Sequence, residues 1–279
     1  MVFGKTTARA FAQKAEALIF KTRGKGTLES RWETLGPDLR LCVSREHTFG
    51  TDALLLSDFA APRAKEIVCD LGSGCGIIPA LWFRQPEQGP EKVWALELQP
   101  EAVALMERSL KEGGLPPERF IPVQGDLRAL PLQKGICDLV TCNPPYYPTG
   151  SGAVSTMAAS RRARHEMACT LEEVCKAAAD LLHQGGRFCL CHRPERLAEV
   201  FRAMQARGLE PKRLRFVQQK PEKPPRLFLL EGRLGGKASL RVEAPLYLEE
   251  AGKPSPEMAR IYGTEKGGAV WQERENCML

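Results

Sequence analysis

Two consecutive prolines, Pro144 and Pro145, close the apolar run Ile136-Cys137-Asp138-Leu139-Val140-Thr141-Cys142. A run this short, largely apolar and rich in β-branched residues and cysteine, reads as a buried strand. Proline has no N–H to give to a ladder, so the strand must stop there. Asn143 is then held at the strand's carboxyl end, the edge where open α/β sheets place their ligands. Tyr146 and Tyr147 follow directly. An amide, the acceptor carbonyl of Pro144 and an aromatic platform can together grip a planar group bearing an NH2. The competing reading is a proline-stopped strand with a Tyr pair packed on the surface.

The flanking sequence alternates between strand and helix patterns. Residues 66–71 read as a strand, residues 77 onward as a helix, and residues 93–98 as the next strand. A helix over 100–112, with Val103, Met106 and Leu110 inward, leads to the strand Phe120-Ile121-Pro122-Val123. Beyond the prolines come helix 171–184, Gly185-Gly186, strand 187–192, helix 194–207 and strand 212–218. This alternation predicts an α/β fold, a mostly parallel sheet with helices on both faces. Residues 226–233 form a further strand, with no room for a crossover helix before it, so it must run antiparallel to its predecessor. An edge strand within 240–248 and a short helix over 255–262 complete the pattern. At the other end, Gly36-Pro37-Asp38 turns a hairpin within 32–45. Thr51 or Asp52 is placed to cap a helix running through Ala60.

Gly72-Ser73-Gly74-Cys75-Gly76 joins the first of these parallel strands to its helix. Glycines there let a ligand approach the backbone and let the helix pack closely on the strand. The dinucleotide fingerprint would need glycine at 77, where Ile77 stands, and a phosphate-binding P-loop would need Gly-Lys-Ser/Thr. Neither phosphate signature is present. Asp70 precedes the turn, where a carboxylate could meet a cationic amino group. Glu97 ends the next strand, the position of an acid that binds ribose hydroxyls. Asp126 follows the third strand and could bond an adenine amino group. Together these describe a nucleoside with a cationic group and no phosphate, which fits S-adenosylmethionine. Taken singly, each acid could equally be a cap or a solvated loop end.

A chain of 279 residues with 43% hydrophobic content has material for one large core. Its longest apolar runs fall short of the roughly 20 residues a membrane helix needs, so no membrane is expected. The net charge of +6 mildly favours an anionic partner. Ten cysteines occur without a Cys-x-x-Cys pair. Cys189, Cys191 and His192 come nearest to a metal cluster but lack a second ligand pair at zinc spacing, so no metal is expected. Buried reduced thiols imply a reducing cytosol and a cytoplasmic protein.

Residues 1–26 carry six basic side chains against the one acid Glu16, and 7–20 could form a helix. A secretory cleavage pattern is missing, which leaves a basic arm touching RNA, an organellar presequence or a frayed end. Residues 148–170 read as a small-residue lid ending in Arg161, Arg162, Arg164 and His165. This cationic end beside Asn143 is either a solvated face or a set of phosphate contacts.

Asp70-Leu71-Gly72-Ser73-Gly74-Cys75-Gly76, the acid-ended second strand and Asn143-Pro144-Pro145-Tyr146, in this order, resemble class I S-adenosylmethionine-dependent methyltransferases that act on amino groups. The likeness implies a Rossmann-like sheet. Phe49-Gly50-Thr51-Asp52, Arg164-His165-Glu166 and Ile261-Tyr262-Gly263 narrow the resemblance to the bacterial tRNA(Val) adenine-N6-methyltransferase family, over about residues 30–263. It implies methylation of adenine 37 in a tRNA anticodon stem-loop and puts Asp52 near the cofactor. Outside that resemblance, the basic residues at the start read as an arm over 1–30, ahead of a methyltransferase domain over 31–250 and a tail with a short helix over 251–279, and a monomer is favoured. The alternatives are glutamine N5-methylation of release factors, another rRNA or DNA amino-group methyltransferase, and a non-catalytic RNA-binding module. Glutamine methyltransferases usually carry a larger helical domain ahead of the core, for which 45 residues are scant. The intact set Asp70, Glu97, Asp126 and Asn143 argues against a decayed module.

If the arginine cluster holds the RNA backbone, replacing Arg161, Arg162 and Arg164 together with alanine raises KM for tRNA and flattens its salt dependence. An unchanged salt slope in the triple variant would return the cluster to solvent.

Overall fold

The computed structural model describes residues 29–144 and 169–263. The expected basic helix over 7–20, together with Pro145, Tyr146, Tyr147, Arg161, Arg162, Arg164 and His165, lies outside the described residues.

The apolar run before the prolines forms β6 (Cys137–Cys142), between β3 (Ile67–Leu71) and β7 (Leu182–His192). Strands buried on both faces need near-continuous apolar sequence. Val68, Cys69, Leu71, Leu139, Val140, Phe188 and Leu190 are accordingly buried. Outward from β3 lie β4 (Lys92–Glu97) and β5 (Phe120–Gln124), all parallel. On the other side, β9 (Pro225–Leu234) is inserted between β7 and β8 (Leu209–Gln218) and runs antiparallel to both. The resulting order is β10–β8–β9–β7–β6–β3–β4–β5, where β10 is Arg241–Val242. The short strand β11 (Leu246–Tyr247) also pairs with β8, and both added strands are parallel to it.

One face of the sheet is covered by α1 (Thr51–Ala60), α2 (Ile77–Leu81), α3 (Pro100–Glu112) and a C-terminal helix, α6 (Pro256–Tyr262). The opposite face is covered by α4 (Leu171–Leu181) and α5 (Leu197–Gln205). The expected hairpin forms as β1 (Ser30–Gly36) and β2 (Leu39–Ser44). It docks on the C-terminal half of α3, where the Ser109 hydroxyl accepts from Cys42 N at 2.8 Å and donates to Leu105 O at 2.9 Å.

Three local expectations are corrected. The helix ends at Leu181, and β7 already begins at Leu182, which pairs with Cys137. Gly185 and Gly186 therefore lie inside the strand, next to a register shift, as an irregularity rather than a boundary. Gly185 sits at φ +85, and a Cβ on Gly186 would meet Leu182 Cδ2 at 2.9 Å. The helix expected over 194–207 opens with a 3₁₀ turn at Pro194–Arg196 before α5 proper. At α1 the N-cap residue is Gly50, so Thr51 and Asp52 lie inside the first turn. Asp52 is therefore not the cap, and its carboxylate reaches Asn143 at the carboxyl end of β6.

Beneath the sheet, Arg187 on β7 donates to Glu66 Oε2 at 2.8 Å and to Ala60 O at 3.0 Å, with Glu231 Oε2 at 3.5 Å. The Arg187 side chain is only 13% exposed. Replacing Arg187 with Met leaves two nearly buried carboxylates without this partner. Urea unfolding is expected to register a loss of about 3–5 kcal/mol, the range for breaking a buried pair from one side.

Candidate active site

The parallel register brings the carboxyl ends of β3, β4, β6 and β7 to one edge. Asp70, next to last in β3, lies opposite Thr141 of β6. Its carboxyl is buried, and each oxygen accepts a hydroxyl: Ser73 Oγ donates to Oδ2 and Thr141 Oγ1 to Oδ1, both at 2.6 Å. Burial nevertheless pushes the Asp70 carboxyl up to about 7, against the two hydroxyl donors and with a smaller push from Glu97.

Glu97, the last residue of β4, is also buried. Its Oε2 accepts from Gly74 N at 2.8 Å and its Oε1 from Gln99 N at 2.9 Å. The carboxylate thus ties the glycine turn to the neighbouring strand end. Gly72 and Gly74 lie at φ +67 and +58, with nothing within 4 Å of where a Cβ would stand, so that side of the turn is open. Gly76, at φ +83, has a different function. A Cβ there would meet Phe120 Cζ at 2.9 Å and the Met106 side chain at 3.0 Å, so glycine lets α2 close onto β5 and α3.

Asn143 follows β6 immediately. Its Nδ2 donates to Asp52 Oδ2 at 3.0 Å, and the Cys191 thiol at the end of β7 donates to its Oδ1 at 3.0 Å. Asp52 Oδ1 accepts from Ala53 N at 3.0 Å. Pro144, directly after, is buried.

The sequence profile of the methyltransferase small domain matches residues 44–206, from the end of β2 to just past α5. The chain belongs to that family. A tRNA1(Val) (adenine(37)-N6)-methyltransferase from Tolumonas auensis is 30% identical over 181 residues, covering 65% of this chain and 74% of that protein. Proteins of the same name from Photorhabdus laumondii and Citrobacter koseri are 30% and 26% identical, over 56% and 54% of this chain. Those two matches span only 62% and 60% of the relatives' own length. Among solved structures, a predicted O-methyltransferase from Agrobacterium tumefaciens aligns with a TM-score of 0.59 at 22% identity, over 76% of this chain and 95% of that one. The fold is that of a class I methyltransferase.

S-adenosylmethionine is the methyltransferase's cofactor, and the residues at the strand edge fit it. Asp70 and Glu97 are two buried carboxyl groups whose hydrogen-bond donors are hydroxyls and backbone N–H groups. Among the described residues no basic side chain forms an ion pair with either, so a cationic ligand complements them and a phosphate would not. The open side of Gly72 and Gly74 lets such a ligand reach the backbone. Asp126 lies beyond β5, half-buried. Its carboxylate holds the Arg128 guanidinium, with Nη2 at 2.6 Å from Oδ2, and this hydrogen bond keeps it below the usual carboxylate range.

The structure thus gathers Asp52, Asp70, Gly72, Gly74, Glu97 and Asn143 along one edge. Three contributors escaped sequence reasoning. Ser73 and Thr141 brace Asp70, and Thr141 was the one hydroxyl in an otherwise apolar and acidic strand run. Cys191 meets Asn143 from 48 residues away, a contact only the β6–β7 register reveals. The segment Cys189-Leu190-Cys191-His192 is pulled apart. Cys189 Sγ lies 3.9 Å from Glu231, while His192 stacks on Phe228 across the sheet. Burial pushes the His192 imidazole down to about 4, so it is neutral at physiological pH. Among the described residues no group of three or more His, Cys, Asp or Glu side chains could hold a metal ion.

Folding raises the Asp70 carboxyl from its unfolded value of roughly 3.9 to about 7. Stability from this group is therefore present at low pH and lost as pH rises across that window. A cationic ligand favours the ionised form, so its binding runs the other way. Calorimetry is expected to show S-adenosylmethionine binding tightening by up to about tenfold from pH 6 to pH 8. In Asp70→Asn the component attributable to this carboxyl disappears, and an identical pH profile in the variant would detach Asp70 from the cofactor.

Proposed function

We propose that this methyltransferase transfers a methyl group to N6 of adenine 37 in the anticodon loop of tRNA(Val). The observation that carries the reading is the orientation of Asn143. Its Nδ2 is committed to the Asp52 carboxylate at 3.0 Å, which turns Oδ1 into the acceptor at the end of β6. The names of the relatives from Tolumonas auensis, Photorhabdus laumondii and Citrobacter koseri support the substrate.

When bound, S-adenosylmethionine supplies an electrophilic methyl group on a sulfonium. The chain's own residues address the other reactant. An exocyclic adenine amine is a poor nucleophile because its lone pair is delocalised into the ring. Asn143 Oδ1 and the Pro144 carbonyl each accept one N–H of that amine, which draws the nitrogen toward tetrahedral geometry and frees its lone pair. Tyr146 stacks on the base, a contact worth about 1–3 kcal/mol by analogy with single-strand binders. Tyr147, Arg161, Arg162, Arg164 and His165 are assigned to the RNA, and Asp52, Asp70, Gly72, Gly74, Gly76, Glu97 and Asp126 to the cofactor side. Anticodon loops offer unpaired bases that splay out at little cost. Alignment of donor and acceptor supplies most of the rest. No titrating base is needed, since the amine can lose its proton after the methyl arrives.

No helix among the described residues is long and apolar enough to cross a membrane. The nine described cysteines are free thiols, which suits a cytoplasmic enzyme.

Mass spectrometry of nuclease fragments of tRNA, with and without the enzyme, is expected to locate N6-methyladenosine at position 37. Methyl incorporation into release factor instead of RNA would replace the reading with glutamine methylation. In single turnover on an anticodon stem-loop, Asn143→Ala is expected to be slower by about 100-fold, the scale for one preorganised hydrogen-bond partner. Its S-adenosylmethionine affinity should change little. Tyr146→Phe should keep most activity and Tyr146→Ala should not, because stacking needs the ring rather than the hydroxyl.

A further inference from the structure

A side-chain amide has two orientations related by a flip, and they present opposite hydrogen-bonding groups to the same place. For an amide that must accept a substrate N–H, only one orientation is productive. Two side chains on different elements bear on this choice at Asn143. Asp52, in the first turn of α1, offers a carboxylate that can only accept, and it takes Nδ2–H at 3.0 Å. Cys191, next to last in β7, points a thiol at Oδ1 from 3.0 Å. Flipping the amide would set Oδ1 against the carboxylate, oxygen against oxygen, and would deprive the thiol of its acceptor.

The backbone register sets this pairing. Cys142 pairs with Leu190 in the β6–β7 register, so Asn143 and Cys191 are the next residues along on adjacent strands. Cys191 is fully buried, which excludes water from competing for its weak donor. Its partner in alternation, Cys189, points to the same face but lies against Glu231, so it cannot substitute.

We propose that Cys191 is a positioning residue whose thiol, opposed by Asp52, locks the Asn143 amide with Oδ1 presented to the acceptor amine. The assignment rests on the catalytic reading of Asn143 given above. An amide oxygen has two lone pairs, so it can take the thiol and the substrate amine together.

The test compares Cys191→Ser, which keeps a donor, with Cys191→Ala, which does not, each alone and combined with Asn143→Ala. Single-turnover methylation of an anticodon stem-loop is the rate measurement, with S-adenosylmethionine affinity by calorimetry and KM for the stem-loop alongside. Cys191→Ala is expected to be slower by about tenfold, in keeping with a slightly misplaced reacting group, with both affinities nearly unchanged. Cys191→Ser should restore most of the rate. In the Asn143→Ala background, Cys191→Ala should cost nothing further, because a residue acting through Asn143 has nothing left to position. A wild-type rate in Cys191→Ala, an equal loss in Cys191→Ser, or an additive loss in the double variant would overturn the proposal. If Cys191→Ala fails to unfold cooperatively, Cys191→Val is the donor-free comparison with the serine variant. A wild-type rate in Asn143→Ala alone is a different failure, since it removes the catalytic reading itself.

Discussion

Two buried carboxyl groups at neighbouring strand ends, Asp70 and Glu97, are the constraint around which the site is arranged. Removing an ionised carboxylate from water costs several kcal/mol unless donors replace the solvent. Here four donors do so: the hydroxyls of Ser73 and Thr141, and the N–H groups of Gly74 and Gln99. These donors belong to the glycine turn, to β6 and to the residues after β4. Satisfying the acids therefore joins three strand ends and one turn into a single rigid edge. The compensation is incomplete, since Asp70 stays raised to about 7. The edge is left polarised toward a positive ligand, the charge that a sulfonium cofactor carries.

The central strands were legible because burial on both faces leaves little choice of residue. β3, β4, β5 and β6 run close to where their apolar stretches place them. The glycine turn was legible by exclusion, since it carries neither phosphate signature. What remained hidden depends on register or on competition between local signals. Gly185-Gly186 reads as a helix stop, yet a register shift takes both into β7. Asp52 reads as a cap, yet Gly50 fills that position and frees the carboxylate for Asn143. Thr141 and Cys191 read as ordinary strand residues. Their contacts with Asp70 and Asn143 follow only from which residues the register brings side by side, and a single sequence does not state pairing between strands separated by a helix.

Placement of Asp52 depends in turn on how firmly α1 is held, and much of that grip comes from outside the matched family region of 44–206. From within it, Ser57 Oγ donates to Ile78 O at 3.0 Å, and Trp82 Nε1 donates to Ser57 O at 3.0 Å. From beyond it, Arg213 on β8 donates to Phe59 O and lies over the Phe59 ring at 3.9 Å. Arg260 on α6 forms a two-pronged pair with Asp58 at 2.6 and 2.9 Å. Met258 and Ile261 bury the apolar side of α6 in the same core as Leu54 and Leu55. Arg215 holds Glu257 at 2.6 and 2.8 Å and so ties α6 to β8. The helix whose first turn orients the Asn143 amide is thus clamped along its length by residues 213–261. The C-terminal elements, although outside the family match, hold in place the helix that carries Asp52 to the Asn143 amide.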